Sequence, residues 1–428
     1  MIKTEVRRNH PATIRSWCMY DWANSVYSLL ITSTLFPVYF NRIAKNAAGG
    51  PEVDFFGWKV LSPALFSFSV SFSFLLAGLL SPILSAYADL SGFRKHFLLF
   101  FCLMGSLACS LLYFFTGDQL ELGMSLFVMA ALGYSSSIVF YNSFLPDIAT
   151  PDQYERVSAR GFALGYAGSV LLLILILSPL FVVPGAAASM DLICRLGFVI
   201  TGIWWMGFGW HAVSGLPASS GGTGMFFSLT PVVKRLKSAL QICLSTAGLP
   251  RFLSGFFFMN MGVQTIMYLA AIFGEAELKL SSEKLIVTIL ILQLVAILGA
   301  WFFARVSLRL QPLTTLLFAC LIWSAICVAA YFVRTEVQFY AVAAAVGLVM
   351  GGSQSLLRST FTHYLPASEQ GKSVLYGLYD LLEKFSIVLG TLVFGMLNQL
   401  SGSMRIPALV LVIFFLAGAW LFHRRNAS

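Results

Sequence analysis

Ser85-Ala86-Tyr87-Ala88-Asp89-Leu90-Ser91-Gly92-Phe93-Arg94-Lys95 is a short polar turn set between two long apolar runs, near 61–87 and 97–116. Each run is long enough to cross the hydrocarbon core of a bilayer, which takes about 20 residues of helix. The turn between them has a definite physical use. Gly92 lets the chain reverse tightly, and Asp89 can accept charge-assisted hydrogen bonds from Arg94 or from the N-terminus of a neighbouring helix. Asp89, Gly92 and Arg94 are therefore a candidate latch at one membrane face.

Outward from this turn the same pattern repeats. Apolar runs fall near 16–41, 122–145, 159–183 and 192–215, then near 250–274, 284–304, 312–333, 337–360, 372–399 and 404–423. With the first two they make twelve. The composition agrees: 58% of the residues are apolar and only 11% charged, where a soluble chain would carry about a quarter charged. The fold class expected is an all-α membrane protein of twelve transmembrane helices in two six-helix halves, residues 1–215 and 249–428. The linker, 216–248, opens with Ser219-Ser220-Gly221-Gly222-Thr223-Gly224. It then runs through a basic amphipathic segment, Pro231–Leu244, suited to an anionic membrane surface.

The halves echo each other. Cys102-Leu103, Ser106, Cys109 and Tyr113 in the third run return as Cys320-Leu321, Ser324, Cys327 and Tyr331 in the ninth. Phe144-Leu145-Pro146 returns as Tyr364-Leu365-Pro366, and Asn24-Ser25 as Gln264-Thr265. A parallel repeat of this kind places a binding site between the halves, near the midplane.

Lys and Arg set the orientation. With the N-terminus cytoplasmic, that side holds eighteen of them and the other side eight, leaving Lys384 within a run. Both termini are expected in the cytoplasm. The net charge of +9 is then a topology signal, since the bases form no continuous face for a nucleic acid.

Ionisable groups inside apolar runs are expensive and usually face the bundle interior. They are Asp21 in the first run and Asp380, Glu383 and Lys384 in the eleventh. Lys384 is about 18 Å along the helix from Lys372, close to the midplane. Asp380 and Lys384, spaced i,i+4, can pair and are candidates for the solute or proton pathway, whereas Glu383 has no partner on its own helix and is, with Asp21, a candidate proton carrier. Asn24, Gln264 and Gln354 are candidates to hydrogen-bond a solute, and Trp22 and Tyr379 to line its cavity. Arg358 reads as a snorkelling residue at the cytoplasmic interface.

Other chemistries find no support. The five His lack ligand spacing, the seven Cys sit mostly in apolar runs with no CxxC, and no phosphate-binding or hydrolase motif occurs. No cofactor or metal is expected, and the chain does not read as an enzyme.

The Asp89–Lys95 turn resembles the acidic–glycine–basic signature between helices 2 and 3 of major facilitator transporters. Further stretches narrow the resemblance: Tyr20-Asp21-Trp22-Ala23-Asn24-Ser25, Phe36-Pro37-Val38-Tyr39-Phe40, Asn142–Ala149, Arg156–Tyr166, Gly351-Gly352-Ser353-Gln354-Ser355 and Tyr376-Gly377-Leu378-Tyr379-Asp380. Together they look like the vacuole-effluxer-like branch, related to autophagy-associated vacuolar amino-acid effluxers. The resemblance implies secondary export of small polar solutes, amino acids or short peptides first. Drug or siderophore export is the alternative, and a non-transporting receptor or scaffold the alternative of another class. Two positions depart from the family's pattern, Met261-Gly262 and Glu383. The expected partners are a small-molecule solute, protons and membrane lipid, with the chain a monomer in a bacterial inner membrane.

Overall fold

The computed structural model describes residues 8–48, 52–117, 119–182, 189–218, 229–366 and 371–423. In a bilayer no water is available for backbone N–H and C=O groups, so each crossing must close its hydrogen bonds within itself. Nearly every described residue accordingly lies in a helix.

The first crossing is a composite. Helix α1 (Pro11–Val26) passes into a π-helical stretch, Tyr27–Leu35, and then into α2 (Phe36–Ala48). A small hairpin follows, β1 (Glu52–Phe55) paired antiparallel with β2 (Trp58–Leu61). Its two-residue turn, Phe56-Gly57, has positive φ at both positions, as the right-handed twist of a tight hairpin requires. Next come α3 (Ser62–Ser91), α4 (Arg94–Leu111), α5 (Leu120–Asn142), a short α6 (Leu145–Ile148), α7 (Tyr154–Leu177), a short α8 (Pro179–Val182) and α9 (Met190–Ser214). Gly92, at φ 75°, ends α3 and reverses the chain into α4, the role expected of it.

An amphipathic helix, α10 (Leu229–Ser245), precedes six more crossings: α11 (Leu249–Leu278), α12 (Ser282–Leu310), α13 (Pro312–Phe332), α14 (Glu336–His363), α15 (Lys372–Ser401) and α16 (Arg405–His423). Proline stands in the first turn of α1, α3, α11 and α13, where its missing N–H costs nothing. A Thr335–Gln338 capping box starts α14. Among the described residues, ten helices are long and apolar enough to cross a membrane by length and composition. The remaining two crossings are the composite first one, whose pieces are separately short, and α15, whose first half carries four charges.

Packing divides between two apolar clusters. One runs from Trp17 to Leu216, the other gathers mostly residues from Val232 to Phe422. The sequence echo has a structural counterpart: α4 packs on α9 as α13 packs on α16. A methyl added at Gly209 of α9 would meet Cys102 Sγ, and one at Gly418 of α16 would meet Cys320 Sγ. Helices in lipid gain by close approach rather than by hydrophobic exclusion, so small residues mark their contacts. In α14 a methyl at Gly347 or Gly351 would lie 2.3 or 2.1 Å from the carbonyl oxygen of Leu292 or Ala296 on α12.

The halves meet along two seams, α3 against α15 and α7 against α12, with α7 also touching α14. The α7–α12 seam is built on Ala159, Ala163, Ala300 and Ala304.

Candidate transport pathway and gate

Three polar clusters lie between the halves, two near the face that carries the ends of α1 and α16 and one deeper. The first is centred on Asp21 of α1. Its Oδ2 accepts 3.1 Å hydrogen bonds from both terminal nitrogens of Arg358 on α14 and a 2.8 Å bond from the Tyr141 hydroxyl. Arg358 also donates from Nε to Ser158 Oγ at 2.9 Å, and from its terminal nitrogens to the Ser158 carbonyl at 2.8 Å and Asn142 Oδ1 at 3.3 Å. Its guanidinium lies 4.1 Å from the Phe162 ring centre and 4.7 Å from that of Trp17. The pair is closed to water, with Arg358 4% and Asp21 6% exposed. Gly161 makes room for it, since a methyl there would lie 2.4 Å from Asp21 Oδ2.

This corrects the reading of Arg358 as a snorkelling residue. It is a buried cation bridging the two halves. The sequence did hold a signal: Asp21 and Arg358 both lie a turn or so inside the same face, at matching depth, and an acid and a base so placed can neutralise each other.

The second cluster surrounds the α3–α4 turn. Of the two partners open to Asp89, the structure takes the helix N-terminus: its carboxylate accepts from the N–H groups of Ser373 and Val374, at 3.3 and 3.0 Å, in the first turn of α15. Arg94 turns instead to Asp147, at 2.5 Å, and to the Ser143 carbonyl, at 3.0 Å, while lying over the Phe144 ring. Lys372 of α15 completes the group with a 2.7 Å bond to Asp147. Glu155 and His363, 2.7 Å apart, add a further bridge between halves. Asp147, Lys372, Glu155 and His363 were not singled out from sequence, because loop-end charges look like ordinary surface.

The third cluster lies deeper, on α15. Asp380 and Lys384 pair at 3.2 Å as their spacing predicts, and Ser81 of α3 donates to Asp380 at 2.6 Å. Lys384 packs beside Gly78 of α3, and its Nζ is 5.6 Å from the Phe74 ring centre. Glu383, on the adjacent face, meets Gln264 of α11 at a stretched 3.5 Å. Gln264 also reaches Asn260 at 3.4 Å, and Asn260 donates to Ser386 at 2.6 Å. Gln354 accepts from the Tyr166 hydroxyl at 2.7 Å, joining α14 to α7. Asn24 is buried, with its Nδ2 unpaired among the described residues. Trp22 stacks on Trp204, and Tyr379 between Phe256 and Phe361, so both are engaged in helix packing.

The ion pairs are unequally placed. Asp21–Arg358 and Asp147–Lys372 join the halves, as does the Glu155–His363 hydrogen bond, all toward the face that carries the termini. At the opposite face Arg42–Asp191 stays within the first half, and Lys284–Glu336 and Glu277–Arg405 within the second. Among the described residues, side-chain bonds between charged groups join the halves at this end alone.

Comparison with known proteins completes the picture. The family profile for vacuole effluxer Atg22-like proteins matches residues 9–428. YxiO of Bacillus subtilis (strain 168), an uncharacterized MFS-type transporter, is 29% identical over 410 residues, covering 94% of this chain and 92% of that protein. Autophagy-related protein 22 of Kluyveromyces lactis is 25% identical over 483 residues, covering 99% and 94%. Among solved structures, the major facilitator transporter FucP in its outward conformation aligns with a TM-score of 0.69 at 12% identity, covering 98% of this chain and 99% of that one. The human organic anion transporter MFSD10 (TETRAN) aligns at 0.68 and 13%, covering 96% and 98%. Identities this low speak for the fold alone, the twelve-helix major facilitator fold. On the nearly full-length family match, the chain belongs to the vacuole effluxer Atg22-like family and is a major facilitator-type transporter.

Proposed function

We propose that this transporter exports small polar solutes, amino acids or short peptides first, by proton-coupled alternating access, acting as a monomer. Its two rigid parts are the halves on either side of the 216–248 linker. The side bearing the termini is the cytoplasm of a bacterial cell, a reading supported by the eighteen-to-eight bias in Lys and Arg. The latch of Asp89, Gly92 and Arg94 is then the cytoplasmic gate, and the conformation described here is the one closed to the cytoplasm.

The observation that carries the reading is the deep α15 cluster. A zwitterionic solute needs an anion and a cation a few ångströms apart in a region of low dielectric, where each charge acts strongly. Asp380, Glu383 and Lys384 supply both signs on one helix, with Gln264 beside them. Lys384 is already neutralised by Asp380, which leaves Glu383 as the group free to exchange a proton or meet an ammonium. Asp21, Asn24 and Gln354 complete the pathway toward the gate.

Reconstituted protein, loaded with labelled amino acids or dipeptides and placed under an imposed pH gradient, tests this. Wild-type vesicles should exchange the solute and move protons with it; Glu383→Gln should keep exchange and lose proton dependence. Exchange confined to bulky drugs or siderophores would replace the reading with its alternative.

A further inference from the structure

Helix α10 has a face that neither the gate nor the pathway uses. It is docked through Val232, Ala239 and Cys243, which are buried, so one narrow stripe is spent on the bundle. Leu229, Val233, Leu240 and Leu244 form a second apolar stripe, spanning about 60° of arc at 3.6 residues per turn. That stripe is open, with Val233 47% and Leu244 74% exposed. Lys237 borders it and Lys234 lies further round, both exposed, on the side away from the docked stripe.

A free apolar stripe in water would be a liability for a soluble helix. Only three residues separate α10 from α11, a membrane crossing, which keeps the stripe close to the bilayer surface. An amphipathic helix with basic flanks in that position fits an anionic lipid surface: apolar side chains enter the acyl boundary and lysines reach the headgroups.

The docked side of α10 faces the gate. It touches α3 in the first half and α11 and α15 in the second. Arg235 lies against Gly371, the residue preceding α15, where a methyl would come within 3.2 Å of its guanidinium. Two and three residues further on are the N–H groups of Ser373 and Val374, which donate to Asp89 of α3. Helix α10 therefore spans the closed α3–α15 contact from outside.

We propose that α10 is a lipid-reading brace, seated in the interface with Leu229, Val233, Leu240 and Leu244 among acyl chains and Lys234 and Lys237 on anionic headgroups, and that in this seat it holds the gate closed. The brace acts whatever the cargo, so it stands or falls separately from the function proposed above.

The test uses the full-length protein in nanodiscs of phosphatidylcholine, with or without phosphatidylglycerol. All seven native cysteines are buried, so spin labels go to introduced ones. A label at Val233→Cys, read by its accessibility to oxygen against a water-soluble nickel chelate, reports the seat; Ser238→Cys on the polar face is the control. A pair at Phe93→Cys and Leu308→Cys, one on each half at this face, reports closure by electron–electron distance. With phosphatidylglycerol the Val233 label should be oxygen-accessible and the Ser238 label aqueous. Lys234→Gln and Lys237→Gln should each reduce the ratio of seated to unseated helix about five-fold, a lysine near such a surface being worth about that factor. The short Phe93–Leu308 distance should lose population in step. An aqueous Val233 label in both lipids overturns the proposal. So does a seat that ignores both lysines and the lipid, and so does a closed population that stays constant while the seat is lost.

Discussion

Removing the charge of Asp21 should release the gate, by an amount the structure allows to be worked out. In Asp21→Asn the side chain keeps its shape, and Arg358 keeps its bonds to Ser158 and Asn142 and its contacts with Phe162 and Trp17. What it loses is its counter-charge, at a site where it is only 4% exposed. Breaking a buried ion pair by removing one partner costs about 3–5 kcal/mol. The retained acceptors and ring faces favour the lower end, and both groups are taken to reach water once the halves part, so that the cost is absent there. The closed-to-open ratio should thus fall by about 100-fold, at roughly 1.4 kcal/mol per decade. Arg358→Gln should do at least as much, since Asp21 is left with the Tyr141 hydroxyl alone. The double variant restores a neutral pair of similar shape, and a coupling of about 2 kcal/mol should appear in the cycle. The Phe93–Leu308 label pair measures all four proteins on one scale. Effects that add within about 0.5 kcal/mol would mean the two residues act independently, and the lock as described would be refuted.

Three further outcomes follow from the geometry. Gly161→Ala puts a methyl 2.4 Å from Asp21 Oδ2 and 3.0 Å from an Arg358 nitrogen; it should lower the closed population, and add little on top of Asp21→Asn in the same distance measurement. Gly351→Val forces α14 off the Ala296 carbonyl of α12 and should cost about 1–3 kcal/mol of packing, seen as a lower thermal midpoint in detergent with the gate equilibrium unchanged. Lys384→Gln leaves Asp380 charged against Ser81 alone and should cut both folded yield and thermal midpoint, while Asp380→Asn with Lys384→Gln recovers them; a stable single variant would show that the pair does not neutralise itself.

Helices in a bilayer announce themselves, and the twelve apolar runs fall on the twelve crossings because length and hydropathy are the physical requirement for spanning. The charged eleventh run was recognisable as well, since Asp380 and Lys384 are one turn apart and need no tertiary knowledge to pair. Partners from distant segments were harder. Asp89 had two candidates, a nearby arginine and a helix end, and nothing local chooses between them; the choice depends on α15 arriving at the α3 turn. Arg358 resembles a surface residue until Asp21, 337 positions away, is placed against it. The π-helical stretch in the first crossing left no mark in the hydropathy pattern, which is set by side chains and is blind to a shift of backbone hydrogen bonding. Trp22 and Tyr379 illustrate the same limit: an aromatic suited to a cavity is equally suited to stacking, and here both stack.

The two seams between the halves differ in texture. Along α3 and α15 the surfaces interlock, with a serine on an aspartate and a lysine stem against a glycine. Along α7 and α12 four alanines face one another at the centre, with Phe162, Ile297 and Trp301 packed around them. Methyl groups have no rotamers to rearrange and no hydrogen bonds to exchange, so one such surface can slide past the other over low ridges. Beside that contact, α7 also carries Glu155 and Ser158, which bond His363 and Arg358 of α14, so ties between the halves stand on both sides of the joint. Resistance to parting, in such a design, is concentrated in these charged ties, where chemistry can release it, and the alanine contact adds little of its own.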